Sequence, residues 1–405
     1  MTMMSVADAL ARVLENAIPL PPEAAALQDA HGRVLAADVM ALRTQPPADL
    51  SAMDGYAVRA ADVVSVPVAL DLIGEVAAGH PFSGRVGKGQ AARIFTGGVV
   101  PPGADTIVIQ ENTRREGTRV NVTTSTPPGK HIRRAGLDFA EGQTLLSRGR
   151  RLSERDLMLA AAMSHPTVPV YRRPRVAVLG TGDELRPPGS SLRPGEIIYS
   201  NGFGVIAMAR GEGADVIDLG VVPDRLDDTI AAIRKARDEH VDILQTSGGA
   251  SVGDHDLVQK ALTAEGLKLS FWKVAMRPGR PLMHGRLGTM HVIGVPGNPV
   301  SSFVCSRLFL VPLIRRLSGR TDIEPSLESA VLGCDLPAND ERADYLRSSL
   351  AAGSGGTLVA TPFPTQDSSM IVALAKADCL VIREPHAPPA KAGGACVILK
   401  LKSAL

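Results

Sequence analysis

Apolar positions along this chain change period as it proceeds, and each change marks a boundary. Val6, Ala9, Leu10, Val13 and Leu14 recur at helical spacing, so a helix is predicted from Ser5 to Ala17. Ser5 caps it, with Asp8 three residues on, and Pro19, Pro21 and Pro22 stop it. A strand-like run follows over Arg33–Leu42. From Pro67 to about Lys130 the pattern becomes short alternating runs (VALDLIGEV, AARIFTGG, DTIVIQE, TRVNVTT) broken by Gly and Pro, which predicts a small barrel or sandwich. A helix over Ser153–Met163, capped by Ser153 with Asp156, is expected to close this β insertion against the N-terminal helix.

From Arg175 the grammar changes again. VAVLGTGDEL, DVIDLGVVPD and the run at Val241 are strand-like and alternate with helical stretches, as βαβ units require. After Asp224, Ile230, Ile233 and Ala236 share one helical face, and a helix over Pro299–Gly319 ends the unit. Short strands return to the end of the chain in YLRSSLA, TLVATPF, DCLVIRE and ACVILKL. The expected architecture is multidomain, α/β plus all-β. Residues 1–42 and 137–170 form a linking domain, and 43–136 an inserted β domain. Residues 171–320 form an α/β domain with a parallel-type sheet, and 321–405 a C-terminal β-barrel-like domain.

Candidate chemistry concentrates between Val241 and Pro299, where strand-like runs are read at Val241–Leu244, Phe271–Met276 and His291–Val295. Ser247-Gly248-Gly249 joins the first run to a helix starting near Asp254, and Pro296-Gly297-Asn298-Pro299 repeats the arrangement after the last. A strand feeding a glycine turn and then a helix aims backbone N–H groups at one spot, which suits a phosphate. Lys273, Arg277 and Arg280 lie between the two turns, with Asp254 and Asp256 beside them. Gly182-Asp183-Glu184 leaves the first α/β strand, where open sheets place ligands. None of this is a P-loop or a G-x-G-x-x-G fingerprint, so an ordinary ATP or NAD site is not supported. Elsewhere, Asp54 before Gly55 reads as an Asx turn or a functional carboxylate, and Thr96-Gly97-Gly98 as a hairpin or a ligand approach. His131, Arg133 and Arg134 cluster near Asp138.

Composition narrows the classes. A formal net charge of +2 argues against nucleic acid or membrane as the main partner, and 3% aromatic content against a base-stacking platform. Cys305, Cys334, Cys379 and Cys396 form no C-x-x-C pair, which disfavours zinc and suits a reducing compartment. The opening MTMMSVADAL lacks the features of a signal peptide, and no apolar run has the length of a membrane span, so a cytoplasmic protein is expected.

SAMDGYAV, RIFTGGVVPPGAD, TGDEL, SGGASVGDHD, FWKVAMRPG and PGNPVS stand in the order seen in molybdopterin molybdenumtransferases, the group that includes the gephyrin E domain. The chain resembles that family over essentially its whole length. The resemblance implies an enzyme that inserts molybdate into adenylylated molybdopterin, releases AMP and requires Mg2+. It also implies a homodimer whose site is shared between subunits, with a molybdopterin adenylyltransferase upstream. By motif position it assigns catalytic roles to Asp54, Thr96, Asp138, Lys273 and Arg277, and metal binding to Glu184, Asp224 and Asp256. The cofactor-binding candidates are Ser247, Gly248, Gly249, Ser251, Arg280, Pro296, Gly297 and Asn298, joined by Arg347 and Ser368 from the C-terminal domain. Some relatives carry lysine at the position of Arg277, which keeps charge but not the planar fork. Adenylyltransferases and the competence-damage family share the α/β module but lack SAMDGY and the β insertion. A receptor-clustering scaffold is a second alternative.

Overall fold

The computed structural model describes residues 3–248 and 257–401. Helix α1 (Val6–Leu14) starts where expected, because the Ser5 hydroxyl accepts the Asp8 N–H at 3.0 Å. Its buried face, Ala9 and Val13, enters the α/β core beside Leu313, Ile314 and Leu317, and the Leu20 N–H reaches the Leu317 carbonyl at 2.8 Å. The first residues of the chain thus pack on a helix made about three hundred residues later.

The insertion forms one curled sheet of β1 (Gly55–Val58), β2 (Val68–Val76), β3 (Gln90–Ile94), β4 (Thr106–Ile109), β5 (Thr113–Glu116) and β6 (Arg119–Val122). Their order is β4-β1-β3-β2-β6-β5. Helix α2 (Glu154–Ala162) carries a complete Ser153/Asp156 capping box. It does not close the insertion against α1. Ala160 and Met163 pack instead with Leu35, Val39, Phe139, Leu146 and Val168 in a separate core of the linking region. The expected strand over Arg33–Leu42 is also reduced, to Val39–Met40 paired with Thr144–Leu146 plus isolated bridges at Val34 and Leu35.

The α/β sheet holds β7 (Arg175–Thr181), β8 (Asp215–Val222), β9 (Ile243–Ser247), β10 (Lys268–Trp272), β12 (Met283–Leu287) and β13 (Met290–Val295), while β11 (Met276–Arg277) departs from it. The order is β8-β7-β9-β13-β12-β10, with β8, β7, β9 and β13 parallel, β12 running opposite, and β10 pairing antiparallel to β12. Helices α3 (Asn201–Gly211), α4 (Leu226–Asp238) and α5 (Leu257–Ala264) connect the strands. Ile233 and Ala236 of α4 are buried as its periodicity requires. The long helix after Pro299 is α6 (Pro299–Cys305), a π-helical turn over Ser306–Leu310, and α7 (Val311–Leu317). Pro312 has no N–H to return to the preceding turn, and the helix accommodates it by widening there.

The strand expected over Phe271–Met276 is broken. Lys273 adopts φ 84° and gives its N–H to the Leu282 carbonyl at 3.0 Å, which turns the chain out of the sheet. Met276 and Arg277 then pair in parallel with Ala343 and Asp344 of the C-terminal domain. That domain closes on itself: β14 (Leu327–Leu332), β15 (Ala343–Ala352), β16 (Leu358–Pro362), β17 (Cys379–Arg383) and β18 (Ala395–Lys400) run in the order β15-β16-β14-β18-β17, and β17 pairs back to β15. The result is a five-stranded barrel carrying β11 from the α/β domain. A short helix α8 (Ile371–Lys376) lies between β16 and β17. No described helix is long and apolar enough to cross a membrane.

Candidate functional site

At the C-terminal ends of β7, β9 and β13 lies a crevice of about 920 Å3. Its walls include Gly182, Glu184, Asp224, Ser247, Gly248, Pro296, Gly297 and Asn298. Carboxylates and glycine turns far apart in sequence therefore meet at one sheet edge, where parallel strands all end.

Each wall has a local cause. Gly248 follows β9 with φ 93°, and a Cβ there would lie 2.3 Å from the Thr181 carbonyl oxygen, so only glycine fits. The second turn approaches the first, with Gly297 facing the Gly248 Cα. Asp183 and Asp224 hold each other's backbone: Asp224 N–H donates to Asp183 Oδ1 at 3.1 Å, and Asp183 N–H to Asp224 Oδ2 at 3.4 Å. Asp224 does not cap α4, which starts after Arg225 with no side-chain cap. Below this rim, the Tyr199 ring is wedged beside Gly180 and Gly202, where any Cβ would strike it. Burial pushes its phenol up to about 12, with Asp218 acting in the same direction.

The C-terminal domain supplies the remaining wall through Ser369 and Ile371. Asn298 Nδ2 donates to Ser368 Oγ at 2.8 Å, and the Val300 N–H to the Ser368 carbonyl at 3.1 Å, so Ser368 is tied directly to the second turn. Arg347 does not line the crevice. It is 1% exposed and holds the segment behind it, donating to the Asp367 carbonyl at 2.6 Å and to Gln366 Oε1 at 3.1 Å.

Other sequence candidates sit apart from the crevice. Asp54 and Thr96 meet in the inserted domain, where Thr96 N–H and Oγ1 donate to Asp54 Oδ1 at 2.8 and 2.9 Å. Those bonds, with the nearby Arg93 charge, hold the Asp54 carboxyl below its ordinary range. Asp138 is exposed in the linking region, with its N–H on the Gln45 carbonyl. Lys273 and Arg277 do not leave one strand end together, because the chain turns at Lys273. Arg277 is committed to the C-terminal domain: Nε and Nη2 each donate at 2.7 Å to the two Asp344 oxygens, a bidentate pair that raises the Arg277 pKa. It borders a separate cavity of about 360 Å3 with Asn339 and Gln366. Arg280 is exposed, while its neighbour Pro281 lines the crevice. Gly249, Ser251, Asp254 and Asp256 lie outside the described residues.

Sequence reading missed Tyr199, Asn201, Ile197 and Ile371 as wall residues. The run IIYSN, a short apolar strand before a helix and beside a glycine-rich turn, carried the only usable signal. Among the described residues, no group of three or more His, Cys, Asp or Glu side chains is placed to hold a metal. Glu184 and Asp224 fit a hard cation that takes one or two carboxylates and completes its shell with phosphate oxygens and water.

Comparison with known proteins agrees along the whole chain. Residues 4–164 match the MoeA N-terminal region (domain I and II), 177–316 a probable molybdopterin binding domain, and 329–401 the MoeA C-terminal region (domain IV). A molybdopterin molybdenumtransferase of Nostoc sp. is 38% identical, covering 86% of this chain and 82% of its own. One from Haemophilus influenzae is 33% identical, covering 96% and 97%. A solved molybdopterin biosynthesis moeA protein from Pyrococcus horikoshii OT3 superposes with a TM-score of 0.81 at 26% identity, over 98% of this chain and 100% of that one. The chain belongs to the molybdopterin molybdenumtransferase family.

Proposed function

We propose that this protein acts in molybdenum cofactor biosynthesis as a Mg2+-dependent molybdenum insertase. It takes adenylylated molybdopterin and molybdate, places the metal in the dithiolene and releases AMP. The observation that carries this reading is the meeting of Gly248 and Gly297 with Glu184 and Asp224 in one crevice. Glycine turns at strand ends let backbone approach a phosphate, and flanking carboxylates suit the Mg2+ that accompanies it. Breaking the phosphoanhydride asks little covalent chemistry of the protein, so holding the substrate and neutralising developing charge are the main tasks. Bound Mg2+ supplies that neutralisation, and Glu184, Asp224 and Asp256 are the residues offered to hold it. Gly248, Gly297 and Asn298 seat the substrate's anionic part, while Ser369 and Ile371 close the crevice from the C-terminal domain.

The same reading includes a cytoplasmic homodimer with a composite site. Asp54 and Thr96 form a preset hydrogen-bonded unit on the inserted domain, outside the crevice of their own chain, and a two-fold partner can present them to it. The substrate then arrives from a molybdopterin adenylyltransferase. The purified protein, given adenylylated molybdopterin, molybdate and Mg2+, should release AMP and form cofactor in equal amounts. Neither product appearing above a protein-free control would refute the assignment.

A further inference from the structure

Asn201, the first residue of α3, makes one side-chain contact that bears on the crevice: its Nδ2 donates to the Gly297 carbonyl at 2.7 Å. The peptide it grips joins Gly297 to Asn298 in the middle of the second turn, and that bond is trans. In a trans peptide the carbonyl and the following N–H point in opposite directions, so fixing the Gly297 oxygen also fixes where the Asn298 N–H points. That N–H has no hydrogen-bond partner among the described residues.

Among the described residues, no other hydrogen bond reaches the Gly297 carbonyl. The Asn298 side chain and the Val300 N–H bond to Ser368, and the Asn298 carbonyl accepts the Ser302 N–H at 2.9 Å; these hold the helix side of the turn and leave the Gly297 carbonyl untouched. Glycine gives the plane latitude on the Gly297 side, while Asn298, at φ −64° before Pro299, limits it on the other. Among the described residues, Asn201 is thus the only hydrogen-bond partner of the Gly297 carbonyl, whose peptide carries the unpaired N–H of the wall residue Asn298.

We propose that Asn201 is a positioning residue: by gripping the Gly297 carbonyl it presents the Asn298 N–H to the anionic group of the substrate. This rests on the reading of the crevice as an anionic-substrate site. Asn201 itself need not touch the substrate; it acts through the turn.

The test uses the full-length protein with Asn201→Ala, Asn201→Asp and Asn201→Gln. In Asn201→Ala the KM for adenylylated molybdopterin should rise about tenfold, the size of one lost hydrogen bond to a charged group, with kcat changing much less. Asn201→Asp should be worse, because a carboxylate there opposes a carbonyl oxygen, and Asn201→Gln, which keeps the donor, should recover part of the loss. Hydrogen exchange over residues 297–303 should quicken in Asn201→Ala, while the melting temperature stays near that of the parent. Unchanged exchange in that segment, or a parent-like KM in Asn201→Ala, would overturn the proposal. A parent protein that releases no AMP would instead remove the functional reading, and the exchange measurement would still decide whether Asn201 holds the turn.

Discussion

Replacing Gly248 by alanine is the severest small change the crevice geometry defines. The added methyl would sit 2.3 Å from the Thr181 carbonyl oxygen and 3.0 Å from Thr181 Oγ1, on a backbone at φ 93°. Thr181 cannot retreat easily, since it ends β7, is 3% exposed and is in register with Val222 of β8. Left-handed backbone costs an ordinary residue about 1–2 kcal/mol. Forcing a methyl into a filled space costs about 1–3 kcal/mol more. A loss of about 2–5 kcal/mol is expected in the unfolding transition of the α/β domain, measured by urea titration with separate probes for each domain. Gly297→Ala is the matched control. Its methyl would meet the Gly248 Cα at an ordinary 3.7 Å, so its stability should lie within about 1 kcal/mol of the parent. A Gly248→Ala protein as stable as the Gly297→Ala control would refute the steric reasoning.

Three further outcomes follow from the same geometry. Arg277→Ala strips a bidentate partner from the largely buried Asp344; about 1–3 kcal/mol should be lost from C-terminal domain unfolding, with Arg277→Lys intermediate, and an unmoved midpoint would show the pair to be idle. Burial, reinforced by the Arg286 charge, pushes His284 down to about 4 and His291 to about 3, below the ordinary value near 6.5. Between those values the unfolded chain binds protons that the folded one refuses, so stability is full above about pH 6.5 and falls as pH drops towards 4, with a slope of up to about 1.4 kcal/mol per pH unit for each histidine. A His284→Gln/His291→Gln double variant should flatten that part of the curve, and parallel curves would count against the assignment. Lastly, Asp54→Ala and Glu184→Ala subunits, each poor alone, should recover roughly a quarter of parental activity after exchange, because half the dimers then carry one intact composite site; no recovery after verified exchange would place the site within one chain.

Features set by a few neighbouring residues were legible in the sequence. The Ser5 and Ser153 caps need only the residue three positions on, and both formed. The strand at Arg175 is buried on both faces and opens RVAVL, and the one at Ile243 opens on Ile243 and Leu244, so both runs stand out. The glycine turns after β9 and β13 announced the crevice for the same local reason. What failed depends on distant partners. The turn at Lys273 is set by the Leu282 carbonyl, and nothing in FWKVAM reveals it. Arg277 read as a free cation because Asp344, its partner, lies 67 positions away. Arg347 is buried by the Gln366–Asp367 segment and supports the wall from behind, which no pattern in DYLRS records. Asn201 shows the same limit: a helix-starting asparagine is commonplace until the Gly297 carbonyl is seen opposite it.

The docking of α1 on α7 sets a schedule for the newborn chain. A ribosome adds about 5–20 residues per second, so the apolar face of Ala9 and Val13 leaves the exit tunnel roughly 15–60 s before Leu313 and Leu317 exist to cover it. The inserted β domain has its strands complete by Val122 and can fold during that wait. The first helix cannot; it must be tolerated bare, or held by something else, until most of the protein has been made. Fusions at the N-terminus therefore load a helix whose native seat, α7, is completed only at the end of the α/β domain.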